Sequence, residues 1–136
     1  MSRSGYSDDC DGWKLICWRG AVASAIKGKR GQAFLRELLD ALDAMSVKEL
    51  ITGELERDGS YCALGLMGMW SGVDLKKAAY WHDWSYLAKG LGISEALTRE
   101  IYFHNDEGSP FANESPSQTW TRMRRWTSEN INKIGG

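Results

Sequence analysis

The sequence predicts an all-α protein: a compact bundle of about six helices, with room for a short strand pair near 54–66. Three observations lead there. Apolar residues recur every three or four positions along separate stretches; Ser and Asp stand ahead of several of them, where helices take their caps; and Gly, Asn and Pro punctuate the gaps.

Residues 1–11 are small and polar and read as a flexible N-terminal arm, ahead of a single helical domain over 12–136. In "WKLICWRGAVASAI", Trp13, Ile16, Ala21, Val22, Ala25 and Ile26 gather toward one side of a helix, and "KGKRG" breaks the chain after it. "QAFLRELLDALDAM" is the clearest helix. Phe34, Leu35, Leu38, Leu39, Leu42 and Met45 form its apolar stripe, with Arg36, Glu37, Asp40 and Asp43 opposite.

"SVKE" has the form of a capping box, Ser46 with Glu49, and Met45 and Leu50 stand at staple positions. A helix through Val47, Leu50, Ile51 and Leu55 is therefore expected, ending at the "RDGS" turn at 57–60. "YCALGLMGMWSG" reads as a buried helix whose Gly65, Gly68 and Gly72 admit a close neighbour. A strand stays open as an alternative there, since each Gly costs a helix interior about 1 kcal/mol. "VDLKKAAYWHD" is a connection with room for one helical turn.

Asp83 can cap a helix over "WSYLAKGL", and Ser94 another over "EALTREIYFH", which "NDEGSP" ends. After the loop "FANE", Ser115, Pro116 and Gln118 make a second capping box. The last helix turns Trp120, Met123, Trp126 and Ile134 inward, and Arg122, Arg124 and Arg125 mostly outward.

Seven Trp, five Tyr and three Phe in 136 residues, with 43% hydrophobic residues, exclude disorder for most of the chain. Seventeen basic against eighteen acidic residues leave a net charge of −1, without the basic excess of a phosphate-gripping protein. Cys10, Cys17 and Cys62 lack C-x-x-C spacing, and His82 and His104 are the only His, so no four-ligand zinc set assembles. No metal and no cofactor are expected, and the thiols are expected to be reduced in a cytoplasmic protein. The opening residues have no signal-peptide core, and no apolar run approaches the roughly 18 residues that would span a membrane.

"LAKGLGISEALTREI" has the outline of a helix-turn-helix centred on 84–103. Ala88, Gly92, Ile93 and Ile101 sit where close crossing, turn and interlocking would need them, although Thr98 takes a normally aliphatic position. Ser94, Thr98 and Arg99 would be the DNA-contacting residues. Glu95 and Glu100 in the same turns would repel phosphate, so a packed helix pair is the favoured reading. Lys27, Lys29 and Arg30 could join Arg122, Arg124 and Arg125 in one nucleic-acid or acidic-protein patch, but two separate solvated faces are the commoner outcome. A Cys-dependent enzyme would use Cys62 with His82, His104, Asn105 and Asp106; the residue types are present, and adjacency is the open question.

The blocks "LICWRGAVASAIKGKRGQAFLRELLDALDAM", "LERDGSYCALG", "HNDEG" and "TWTRMRRW" resemble a family of small uncharacterised bacteriophage and prophage proteins with CALG and NDxG motifs. The resemblance implies an accessory protein and no particular reaction. It marks Cys62, Ala63, Leu64, Gly65, Asn105, Asp106 and Gly108 as a shared feature, which one physical account makes structural: the Asn105–Asp106 segment capping the Cys62 helix. Trp70, Trp81 and Trp84 are close in sequence; they mark a partner-binding patch if exposed and belong to the core if buried, which is the commoner outcome. The resulting expectation is a protein that binds a host or phage protein through Trp81, Trp84, Arg122, Arg124 and Arg125. Interference with a bacterial defence or regulatory system would suit that context. The oligomeric state stays open.

Overall fold

Gly28 divides one long helical stretch into two. In the computed structural model, which describes residues 12–81, 83–107 and 113–131, α1 (Gly12–Lys27) runs into it and α2 (Lys29–Ala44) begins directly after it. The break expected across "KGKRG" is therefore one residue wide. Gly31 lies inside α2, and a Cβ there would stand 1.8 Å from the Ala25 carbonyl oxygen, so glycine lets the helices meet this closely. Along α1, Trp18 and Val22 point inward, while Ile16 is 60% exposed and Ala21 also faces out. The expected apolar face is thus displaced, because the apolar residues of α1 surround the helix and only packing selects a side. In α2 the expected stripe holds: Phe34, Leu35, Leu38 and Leu42 are buried.

Residues 45–55 do not form the expected helix. Ser46 and Glu49 are exposed and make no capping box; Lys48 instead folds back to donate to the Asp43 and Met45 carbonyls at 2.9 and 2.8 Å, closing α2. Beyond it the backbone finds tertiary partners. The Leu50 amide donates to the Pro116 carbonyl at 3.1 Å and the Ile51 amide to the Tyr61 carbonyl at 3.0 Å. Those bonds, with Leu50 and Leu55 both buried, outweigh a local cap worth about 1 kcal/mol. Val47, expected inward, is 61% exposed.

The strand pair appears as β1 (Glu56–Arg57) and β2 (Ser60–Tyr61), antiparallel, with Glu56 opposite Tyr61. Asp58 and Gly59 between them both have positive φ, 51° and 82°, as a tight type I′ hairpin requires. Next comes α3 (Ala63–Trp70), buried from Ala63 to Gly68. The connection after it contains a further helix, α4 (Leu75–Trp81), longer than the single turn expected.

Asp83 and Ser94 act as expected. Asp83 accepts from the Tyr86 amide at 2.9 Å ahead of α5 (Trp84–Leu91), and Ser94 from the Leu97 amide at 3.1 Å ahead of α6 (Glu95–Glu107). α6 continues through Asn105 and Asp106, so these two residues are helical and not part of a terminating loop. Ser115 and Gln118 complete both halves of their capping box, with Pro116 opening α7 (Pro116–Asn130). Met123 is fully buried and Trp120 and Trp126 partly so; Ile134 lies outside the described residues.

These seven helices and one two-stranded ribbon, counted among the described residues, share one apolar core. α3 sits against α2, α5 and α6; α7 lies along α2, and α1 along α6. α2 and α7 run antiparallel, since Gln32 donates to the Asn130 carbonyl at one end and Trp120 to the Leu42 carbonyl at the other. Among the described residues no helix is long and apolar enough to cross a membrane.

Candidate functional site

Cys62, Ala63, Gly65, Asn105 and Asp106 come together at the amino end of α3. Cys62 is its N-cap, and the thiol sulfur accepts from the Gly65 amide at 3.3 Å. The next free amide, Ala63, donates to Asn105 Oδ1 at 3.0 Å. Asn105 Nδ2 donates to the Ile51 carbonyl at 2.8 Å and to Asp106 Oδ1 at 3.0 Å. Asp106 Oδ2 in turn accepts from the Gly53 amide at 3.0 Å, and the Tyr102 hydroxyl donates to the same carboxylate. Gly65 is the steric counterpart: a Cβ there would lie 1.8 Å from the Leu55 carbonyl oxygen. Two side chains on α6 thus tie α3 and the irregular 51–55 segment together. Gly108 lies outside the described residues.

That geometry bears on thiol chemistry. Cys62 is fully buried, and burial pushes its thiol up to about 12, so it stays protonated at neutral pH. The His104 ring is engaged elsewhere, 4.9 Å from the Trp126 ring and with Nε2 3.4 Å from Glu100. His82 lies outside the described residues. Burial likewise raises the Asp106 carboxyl, opposed by its hydrogen bonds from Asn105, Gly53 and Tyr102. What the motif residues build is a structural clamp around a neutral thiol.

α5 and α6 form the packed pair that "LAKGLGISEALTREI" suggested, with Gly92 as a left-handed cap between them. Of the three candidate DNA-contacting residues, Thr98 is fully buried and donates its hydroxyl to the Ser94 carbonyl at 2.8 Å, while half-buried Ser94 is the helix cap. Arg99 bonds Glu95 Oε1 through Nε and Nη2, at 3.2 and 3.0 Å, and its guanidinium carbon lies 5.6 Å from the Trp84 ring centroid. Glu100, expected on the outer face, is 4% exposed. α1, α3, α5 and α7 all contact α6, and in its first two turns the charged groups it offers a duplex are the mutually neutralising Glu95 and Arg99.

The basic residues do not gather. Arg122 was expected outward, and it turns in: it bonds Glu114 through Nε and Nη2 at 2.8 and 2.9 Å, and donates to the His104 and Asn105 carbonyls. It closes the end of α6, whose last carbonyls lack helical partners. Arg124 forms a two-pronged pair with Asp43, at 2.6 and 3.0 Å; Arg125 is exposed. Lys29 and Arg30 open α2, whereas Arg124 meets it near Asp43, about 20 Å of helix away.

Among the tryptophans, Trp84 is half-buried and packs edge to face with Tyr102. The Trp81 side chain lies outside the described portion. Trp70, the third member of the sequence cluster, is the outward one. At the last turn of α3 it is 65% exposed, beside Met69 at 43%. It flanks a groove of about 400 Å³ between α2 and α3, lined also by Glu37, Asp40, Ala41, Ala44, Met67 and Ser71. Neither Glu37 nor Asp40 meets a cation among the described residues. The sequence named Trp70 as one of a tryptophan cluster but not the groove beside it. The available signal was the length of α3: eight residues bury its first six and leave Met69 and Trp70 overhanging.

Set against known protein families, curated proteins and solved structures, the chain matches none of them.

Proposed function

We propose that the protein acts by binding another protein through the α2–α3 groove and the indole beside it. The observation that carries this is Trp70, an aromatic side chain left 65% exposed next to Met69 and a groove. An indole in water forfeits the burial that normally stabilises it, and tryptophan is enriched among the residues that dominate protein interfaces. Glu37 and Asp40 give the groove a negative edge, so the occupant is a protein segment presenting an apolar side chain beside a Lys or Arg. The blocks at 15–45, 55–65, 104–108 and 119–126, which resemble the phage and prophage family, support an accessory protein whose partner is a host or phage protein. Interference with a defence or regulatory system belongs to this same reading.

The experiment compares tagged wild type, Trp70→Ala and Glu37→Lys/Asp40→Lys in capture from bacterial lysate, followed by titration of the purified captured protein. A saturable complex weakened about tenfold or more by Trp70→Ala, and also weakened by the charge reversal, is the expected result. Equal affinity of all three forms would overturn the proposal. So would a wild-type homodimer that Trp70→Ala converts to monomer, since a second copy would then be the occupant. Trp70 is exposed, so its replacement should leave the thermal midpoint near that of the wild type.

A further inference from the structure

A second cavity, of about 270 Å³, opens where the 53–56 segment, α4, α5 and α6 meet. Its floor is apolar, formed by Leu55, Ala78 and Leu87, all buried. Its wall is aromatic: Trp84 and Tyr102, with ring centroids 5.0 Å apart at an interplanar angle of 71°. Its rim carries Glu54, Glu56 and Asp83, and no Lys, Arg or His among the described residues lines it.

The carboxylates keep capacity for a ligand. Asp83 Oδ1 caps α5, Glu56 takes the Tyr61 hydroxyl, and Glu54 lies 3.4 Å from Arg57 in a pair open to solvent. A carboxylate has about four acceptor positions, so each of these contacts leaves others free. The Trp84 ring already attracts one guanidinium, that of Arg99, 5.6 Å from its centroid. An apolar floor, aromatic faces and a ring of negative charge together match a group with an alkyl stem and a cationic head. The volume falls just below the roughly 300–1,000 Å³ of drug-sized sites, which suits one long side chain or a small amine.

We infer that this cavity binds an organic cation, an alkylammonium or guanidinium group, with its stem over Leu55 and Leu87 and its head between Trp84, Tyr102 and the rim carboxylates. The site is separate from the Trp70 groove and does not depend on it. Two sources present this chemistry: a Lys or Arg side chain of a protein, or a free small amine.

The test is a nuclear magnetic resonance titration of the full, isotope-labelled chain with n-butylammonium, with n-butanol as the uncharged counterpart, and with sodium chloride at matched ionic strength. n-Butylammonium should shift the Trp84 indole and the Gly53–Glu56 amides saturably, and n-butanol and sodium chloride should not. Glu54→Gln/Glu56→Gln should weaken binding about fivefold without unfolding the protein, both residues being exposed. Trp70→Ala should bind the cation like the wild type, which separates this result from the fate of the α2–α3 groove. A lysine-containing tripeptide that binds more tightly than n-butylammonium identifies the protein source, and the reverse order identifies the free amine. No saturable shift, equal binding of n-butanol, or unchanged affinity in the double variant would overturn the inference.

Discussion

Asn105 joins three segments of the chain through one side chain. Fully buried on α6, it accepts from the amino end of α3 and donates to the Ile51 carbonyl of the irregular segment. Replacement by Ala would leave a buried amide and a half-buried carbonyl without this partner, at about 1–3 kcal/mol each. Asn105→Ala should therefore lower stability by about 3 kcal/mol, read as a shift in the urea midpoint. Gly65 makes the complementary prediction. The 1.8 Å approach of the Leu55 carbonyl leaves no room for a methyl group, so Gly65→Ala should cost about 2–3 kcal/mol in the same assay. For Cys62, full burial and a thiol near 12 predict that iodoacetamide at pH 8 modifies exposed Cys17 and spares Cys62 until denaturant is added. Mass spectrometry of the labelled peptides checks this; fast labelling of Cys62 in the folded protein would contradict the clamp.

Helix ends settle how the elements join. Arg122 reaches from α7 to the final carbonyls of α6 while Glu114 holds its guanidinium. Truncating it to Ala would remove a two-pronged guanidinium from Glu114, whose side chain is only 10% exposed, and two donors from the end of α6. The expected loss is about 3 kcal/mol, and Arg122→Lys should restore only part of it because a lysine cannot reproduce the fork. By contrast, Ser115→Ala removes one exposed cap contact and should cost about 1 kcal/mol. The same reasoning explains why "SVKE" fails as a cap where "SPSQ" succeeds. Ser115 has Pro116 behind it and a long amphipathic run to follow, whereas the residues after Ser46 reach Gly53 within two turns, at a φ of 84°. There the backbone does better with partners on α7, β2 and α6.

For the whole molecule, two carboxylates pull stability in opposite directions with pH. The Arg124 guanidinium holds Asp43 below its ordinary value, so that pair contributes above the unfolded carboxyl value and is lost as pH falls through the lower folded one. Asp43 and Arg124 are both more than a third exposed, so the contribution is small and should fade in high salt. Burial raises Asp106, so its ionised form is a cost at neutral pH that disappears as pH falls through its raised value. Urea midpoints measured from pH 7 to pH 3 should accordingly show Asp43→Asn losing its small deficit against wild type only at the acid end. A deficit that does not shrink between pH 4 and pH 3 would assign the Asp43 contact a different role.

Much of the architecture could be read from local chemistry. The α2 stripe, the Asp83, Ser94 and Ser115 caps and the Asp58–Gly59 turn depend on residues within a few positions of one another, and all of them form as expected. Tertiary packing decided the rest. It chose Trp18 over Ile16 as the buried face of α1, drew residues 45–55 out of helix, and turned Arg122 inward. It also brought Asn105 to the amino end of α3 from 42 residues away, a cap that the shared motifs suggested and local chemistry alone did not, and left Trp70 in solvent. The physical reason is range: a cap or a turn is complete within one segment, whereas burial and the satisfaction of a polar group depend on which distant segment arrives beside it.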